Sequence, residues 1–346
     1  AHQGLQKVEI KHASAGEIIG LAGFEDVYIG ETITDTEERL PIPFVDIDPP
    51  TITMKICVND GPLAGREGKL LTARQIRERL VRETRTNVSL TFEDTDTAGH
   101  FQVSARGEMQ IAILVEQMRR EGFEVLVSRP EVIFKNDEQG NLLEPMETLY
   151  VDVPTENLGD ILQSLAGRKA EIVNMDHQTN TVLVEAVIPT RGLIGFETDL
   201  INATRGHGIC SHIFKEYAPH KGEIPSRNNG VLVSMEAGIS TAYALETLQE
   251  RGRLFIGPQT EVYEGMIIGE NARPDDMPVN PTRAKKLTNM RSQGEGKGIT
   301  LAPPVVMGLE RAIEFIANDE YVEATPKNIR LRKKILDTTA RKRASR

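Results

Sequence analysis

Apolar residues recur along this chain with two periods, near 3.6 and near 2, and the switches between them mark out helices and strands. From residue 51 to 135 the order reads strand, helix, strand, strand, helix, strand. The first helix opens on Thr72-Ala73-Arg74-Gln75, where each end side chain can satisfy the other's free backbone donor, and it turns Ile76, Leu80 and Val81 inward. The second places Ile111, Leu114, Val115 and Met118 at i, i+3, i+4 and i+7 and stops at Gly122. Strands at 88–92 and 101–103 flank a polar turn through Asp94 to Gly99. This succession is a split βαβ sandwich.

The same succession returns between residues 144 and 219. A strand at 150–153 precedes a helix with Leu158, Ile161, Leu162 and Leu165 in one stripe, ended by Gly167. Strands at 170–175 and 182–188 follow, then a helix with Leu193, Phe196 and Leu200 inward, stopped by Gly206, and a closing strand at 209–217. Two tandem ferredoxin-like sandwiches are therefore expected, in an α+β fold. Residues 1–45 read as strands, with alternation at 8–11 and again at 18–23, but with too little apolar surface for a core of their own. Pro41, Pro43, Pro49 and Pro50 make a stiff linker.

Past residue 220 the pattern is mixed α/β. Helices are expected at 241–251, with Ala242, Leu245 and Leu248 inward, and around Leu309, Ala312, Ile313 and Ile316. Strands are expected at 260–263, 265–269, 321–324 and 329–336, with a frayed tail over the last ten residues. In the last strand Arg330, Arg332 and Lys334 alternate with apolar Ile329, Leu331 and Ile335, which reads as a strand with one basic edge. Units are thus expected at 1–45, 46–135, 136–220 and 221–346, each sandwich folding on its own pair of helix stripes.

Residues 282–303 stand apart, because their few large apolar residues fit neither period. Arg283, Lys285, Lys286, Arg291 and Lys297 face a single acid, Glu295, and Gly294, Gly296 and Gly298 alternate through the middle. A mobile basic loop is expected. The whole chain carries a net charge of −10, yet this loop carries +4 and residues 327–346 carry +8, so the remainder stands at −22. Such a chain repels polyanions over most of its surface and accepts them at one end. Cations for phosphates, with Asn289, Ser292 and Gln293 for bases or riboses, are what single-stranded RNA requires. The RNA-contacting candidates are Lys285, Lys286, Asn289, Arg291 and Lys297, then Arg330, Arg332, Lys333 and Lys334. The alternatives are a solvated loop without a partner, and a protein-interaction platform without direct RNA contact.

Other chemistries are poorly served. A phosphate loop would need Gly at the position of Arg291 and Ser or Thr at that of Gly298. His207, Cys210 and His212 lack a fourth ligand, and on a strand His207 faces away from the other two, so no metal is expected. No catalytic residues and no cofactor are expected, since nucleophile, base and orienting group never occur together. Cys57 and Cys210 are the only cysteines, which suits a reducing compartment, and no apolar run reaches the roughly 20 residues needed to span a bilayer. A cytoplasmic protein without membrane contact is expected.

Four stretches, RGRLFIGP at 251–258, VYEGMIIGENAR at 262–273, KKLTNMR at 285–291 and TPKNIRLRKK at 325–334, resemble the C-terminal domain of the BipA (TypA) translational GTPases. The two earlier units resemble domains III and V of elongation factor G, with GEMQIAI at 107–113 and FKEY at 214–217. Met109, Gln110 and Ala112 depart from the elongation-factor pattern, so contacts of that helix are not carried over. No insertion like elongation factor domain IV is present, which favours BipA over a translocase. The resemblance implies a ribosome-binding factor of assembly and stress-responsive translation, monomeric, reaching large-subunit rRNA near the A site and the acceptor end of tRNA. It also implies that residues 1–45 are the last strands of a β-barrel domain. GTP, Mg²⁺ and ribosome-dependent hydrolysis would belong to an N-terminal domain of the parent that this sequence lacks.

Overall fold

The first unit contains β1 (Ile52–Val58), α1 (Ala73–Thr86), β2 (Thr91–Asp94), β3 (His100–Ala105), α2 (Glu108–Glu121) and β4 (Val125–Val127). The structure, a computed structural model, describes residues 2–3, 6–24, 27, 29–36, 40–43, 49–224, 227, 229–284 and 300–344. The four strands lie in the antiparallel order β4-β1-β3-β2. Helix α1 starts where its sequence says it must: Thr72 accepts the Gln75 amide, and the Gln75 side chain accepts the Thr72 amide at 3.1 Å. Helix α2 ends at Gly122, whose φ of +96° is open to glycine and strained for other residues. The expected strand at 88–92 begins only at Thr91, because Leu90 closes a turn onto Asn87 and buries its side chain.

The second unit repeats the plan with β5 (Leu142–Pro154), α3 (Leu158–Gly167), β6 (Glu171–His177), β7 (Thr181–Pro189), α4 (Phe196–Ala203) and β8 (Ile209–Pro219). Its strand order, β6-β7-β5-β8, is that of the first unit. Leu149, Val151, Val153, Val182 and Val184 point from this sheet onto Ile161, Leu165, Phe196 and Leu200 of the two helices, and form a separate core.

The third unit supplies β9 (Val231–Ser234), α5 (Ala242–Leu248), β10 (Gly252–Leu254), β11 (Met266–Asn271), β12 (Met277–Val279), α6 (Leu309–Phe315), β13 (Glu320–Ala324), β14 (Ile329–Lys333) and α7 (Thr338–Ala344). It does not stand apart from the first unit. Strand β13 pairs with β4, Val322 opposite Val127 and Ala324 opposite Val125, so nine strands run β12-β9-β11-β14-β13-β4-β1-β3-β2 in one sheet, which β10 on β11 and Glu131–Val132 on β1 bring to eleven. The core is equally shared: Ile76, Leu80, Ile111 and Val115 of the first unit lie in one cluster with Leu309, Ile313, Val322 and Leu331 of the third.

Two expectations about the termini fail. A two-residue antiparallel pair, His2–Gln3 with Gln6–Lys7, is all that forms of the expected strands: among the described residues 8–43 there is none, and Ile18 and Leu40 are about nine-tenths exposed, with no apolar layer to cover them. The tail does not fray at its start, because α7 is capped: Asp337 accepts the Ala340 amide, and Glu264 accepts both the amide and the hydroxyl of Thr338, at 2.8 and 2.9 Å.

A buried ionic cluster crosses the seam between the first and third units. Glu323 of β13 is fully buried and accepts the Tyr263 hydroxyl at 2.6 Å and the Asn59 amide at 3.1 Å, while pairing with Arg330 at 3.2 Å. Arg330 reaches on to Glu67 of the first unit, which also accepts from Thr325 at 2.5 Å and Asn328 at 2.8 Å. Burial opposes the charge on Arg330, but Glu323 and Glu67 outweigh it and hold its pKa above the usual value. Burial likewise opposes the charge on Glu67, and the hydrogen bonds from Thr325, Asn328 and Arg330 overcome it and keep the carboxyl below its usual range. Glu323→Ala strands a buried guanidinium and a buried phenol, and it should cost about 3–5 kcal/mol. Lys334→Ala, at an exposed position, should stay within about 0.5 kcal/mol, and urea midpoints of the two variants check both.

The second unit meets the other two through acids. Glu108 at the start of α2 accepts the Gly195 amide at 3.4 Å, and Glu314 of α6 accepts the Thr198 hydroxyl at 3.0 Å. Burial, then the nearby Glu314 carboxylate, push the Glu108 pKa up to about 7, and the other Glu108 oxygen has no partner among the described residues. His212 pairs with Glu147, and that hydrogen bond raises its pKa against the opposing effect of burial. A raised carboxyl pKa removes stability as pH climbs from the unfolded value toward 7. A raised histidine pKa gives stability below about 6.5 that is lost as pH passes the folded value. Both act in one direction, so the chain should melt lower at pH 8 than at pH 6. Glu108→Gln keeps the acceptor for Gly195 and should recover on the order of 2–3 kcal/mol at pH 8, read from melting curves across that range.

Candidate nucleic-acid interface

The basic loop is anchored at both ends to one short helix. Thr241, the N-cap of α5, accepts the Ala244 amide at 3.2 Å and donates its hydroxyl to the Arg283 carbonyl at 2.6 Å. At the opposite end of α5, Gln249 donates to the Thr300 carbonyl at 2.9 Å and accepts the Ala302 amide at 3.0 Å. Lys285, Lys286, Asn289, Arg291 and Lys297 lie between these anchors and outside the described residues. Arg283, at the stem, is exposed. The helix itself is buried through Ala244 and Leu245, so the stem rests on the core of the third unit.

The second group of candidates is placed differently. Strand β14 lies between β11 and β13 in the interior of the sheet, so its alternating cations do not form an edge. Arg332 is 2% exposed and pairs with Asp60 at 2.7 Å. Lys333, equally buried, is surrounded by Asp276 at 2.5 Å and by Asp319 and Glu320 at 2.8 Å. Burial opposes its charge, but Glu320 and the bonds to Asp276 and Asp319 raise its pKa above the usual lysine value. Arg330 belongs to the cluster at the seam. Three of the four expected surface cations thus hold the fold together, because acids on neighbouring strands and loops neutralise them. Lys334 alone of this group is exposed, with its ammonium 5.0 Å from the centre of the Tyr321 ring.

The histidines considered as ligands are dispersed. His207 is exposed before β8 begins, Cys210 packs on the core of the second unit, and the His212 ring is taken by Glu147. Among the described residues no group of three or more His, Cys, Asp or Glu could hold a metal ion. The partners that sequence reasoning missed are Asp60, Glu67, Asp276, Asp319, Glu320 and Glu323. A signal was present for two of them: EYVEA at 320–324 sets acids among apolar positions of a strand, which calls for buried cations.

Residues 229–338 match the family model for the TypA/BipA C-terminal domain, and residues 141–228 match that for the elongation factor G C-terminus. A protein of Bacillus subtilis (strain 168) named large ribosomal subunit assembly factor BipA is 45% identical over 99% of this chain and 56% of its own length. Its namesake in Synechocystis is 47% identical over 96% of this chain and 55% of its own length, and that of Escherichia coli (strain K12) is 44% identical over 100% and 57%. The chain spans about 56% of the length of the first of these relatives. A crystal structure of a Thermus thermophilus protein, with a TM-score of 0.32 and 15% identity over 52% of this chain and 42% of the other, is too distant to add to the argument. The last unit carries the TypA/BipA C-terminal domain and nearly the whole chain aligns with BipA proteins, and the chain belongs to the TypA/BipA family.

Proposed function

We propose that this chain is the ribosome-binding region of a BipA-type factor acting in large-subunit assembly and stress-responsive translation in the cytoplasm. In this reading the loop between Arg283 and Thr300 contacts large-subunit rRNA near the A site and the acceptor end of tRNA. Lys285, Lys286, Arg291 and Lys297 neutralise phosphates, and Asn289 reads a base edge or a ribose. Lys334 adds a surface contact, and Arg330, Arg332 and Lys333 act indirectly by fixing the platform. The two βαββαβ units serve as ferredoxin-like spacers with boundaries near 46–135 and 136–220, and residues 1–45 belong to a preceding barrel. GTP, Mg²⁺ and hydrolysis belong to a further domain of the whole protein, which acts as a monomer.

The observation that carries this reading is the stem of the loop, whose two ends are tied to opposite ends of α5 while its sequence holds +4 in an acidic chain. In this reading the tethered stretch offers its cations to one polyanionic partner, and relatives named for large-subunit assembly make ribosomal RNA the fitting one. Replacing Lys285, Lys286 and Arg291 together with Ala should lower the slope of log affinity against log salt for large subunits by roughly 2–2.7. Asn289→Ala should weaken binding and leave the slope nearly unchanged, since it releases no counterion. Titrations across a salt series, with melting curves as a folding control, check both, and an unaltered slope in the triple variant would remove the RNA site from this loop.

A further inference from the structure

The three units meet around a cleft of about 1020 Å³ that the reading above does not use. Six arginines line it: Arg129, Arg168, Arg191, Arg227, Arg253 and Arg311. Four have acid partners. Arg168 pairs with Asp199 at 2.7 Å and also donates to the Gly192 and Ile194 carbonyls, at 2.6 and 2.9 Å. Arg191 holds Glu144 at 2.5 Å, Arg227 holds Glu320 at 3.0 Å through both terminal nitrogens, and Arg311 pairs with Glu314 at 3.2 Å. Arg129 and Arg253 have no acid within ion-pair distance among the described residues.

Of these two, Arg253 is exposed on β10, opposite Glu270 in the sheet register, and solvent satisfies it. Arg129 is different. It is partly buried on the connection that follows β4, and its guanidinium makes no hydrogen bond or ion pair with any described residue. Burial, then the charge of Arg227, press its pKa below the usual arginine value, against the weaker opposing pull of Glu320 and Glu131. None of the remaining acids of the cleft makes an ion pair with it among the described residues: Glu131 is exposed and acts on it only at longer range, Glu223 is exposed, and Glu270 accepts the Asn229 amide at 3.0 Å. A guanidinium kept near a second guanidinium, in a cleft and without an acid in contact among the described residues, costs stability and offers a planar fork for an oxyanion. The cleft is also lined by Phe134, 41% exposed, with its ring 5.8 Å from that of His220 and tilted to it by 56°, so an apolar surface borders the same space.

We propose that this cleft is a phosphate-binding site in which Arg129 supplies the charge, with Arg253 at its mouth. The phosphate group is either carried by a small free ligand or is part of an RNA backbone, and the two share the same recognition by a charge-assisted fork. Arg129→Met keeps the length of the stem and its packing while removing the charge, and Arg129→Lys keeps a charge without the fork.

The test is titration calorimetry of the whole chain at low salt with pyrophosphate, and separately with a short single-stranded RNA, on the native chain and both variants. The native chain should bind pyrophosphate saturably at one site, and Arg129→Met should weaken this about tenfold or more, with Arg129→Lys between the two. The melting temperature of Arg129→Met should be unchanged or higher, because relief from Arg227 replaces no lost bond. A small-ligand source is indicated where RNA binding is untouched by Arg129→Met, and an RNA source where RNA binding falls and pyrophosphate competes with it. Absence of saturable pyrophosphate binding overturns the proposal, as does binding retained within about twofold in Arg129→Met. A lowered melting temperature in that variant also overturns it, since Arg129 would then be a structural residue.

Discussion

One carboxylate at the seam between two units decides how the rest of this chain is arranged. Glu323 sits in β13, fully buried, where that strand pairs with β4 of the first unit, and it holds Arg330, Tyr263 and Asn59 at once. A charge in that position survives only if every lone pair is answered. The answers come from all sides of the seam: Asn59 from the loop after β1, Tyr263 from the turn before β11, and Arg330 from β14. Strand order, core and charge therefore agree with one another, and β13 cannot slide by one residue without turning Glu323 onto the other face.

The same constraint explains why strand β14 was only half legible. Its alternation of Ile329, Leu331 and cations correctly signals a strand, but a period of 2 carries no information about what lies on either side. The acids that neutralise Arg330, Arg332 and Lys333 are Glu67, Asp60, Asp276, Asp319, Glu320 and Glu323, and two of them, Glu67 and Asp60, are more than 250 residues distant in sequence. Local signals fared better. The Thr72–Gln75 box, the stop at Gly122 and the stripes of α2, α3 and α6 all form as the pattern dictates, because each depends on neighbours within one or two turns. The strands expected near residues 8–11 and 18–23 are absent because a strand needs a partner that no local pattern supplies. Within the candidate interface, the charge of the loop is legible from sequence, and its anchoring on Thr241 and Gln249 is not.

The second unit is attached by other means. It keeps a core of its own, and its polar contacts to its neighbours include Glu108 with Gly195, Glu314 with Thr198 and Arg311 with Asp199, where acids outnumber cations and one Glu108 oxygen is unanswered among the described residues. Apolar packing joins the first and third units, and polar contacts that depend on pH join the second to both. The stem of the basic loop thus stands on the more tightly joined part, while the cleft containing Arg129 lies where the looser part meets it.

The first and third units form one cooperative body through the β4–β13 pairing and the Glu323 cluster. Native-state hydrogen exchange across a low denaturant series measures this directly, by the opening free energies of amides in β1, β4, β13 and β14. These four strands should exchange with one common free energy and one denaturant slope, and Glu323→Ala should lower all of them together. Amides of β13 and β14 opening at a distinctly lower free energy, with those of β1 and β4 unaffected by Glu323→Ala, would contradict a single body.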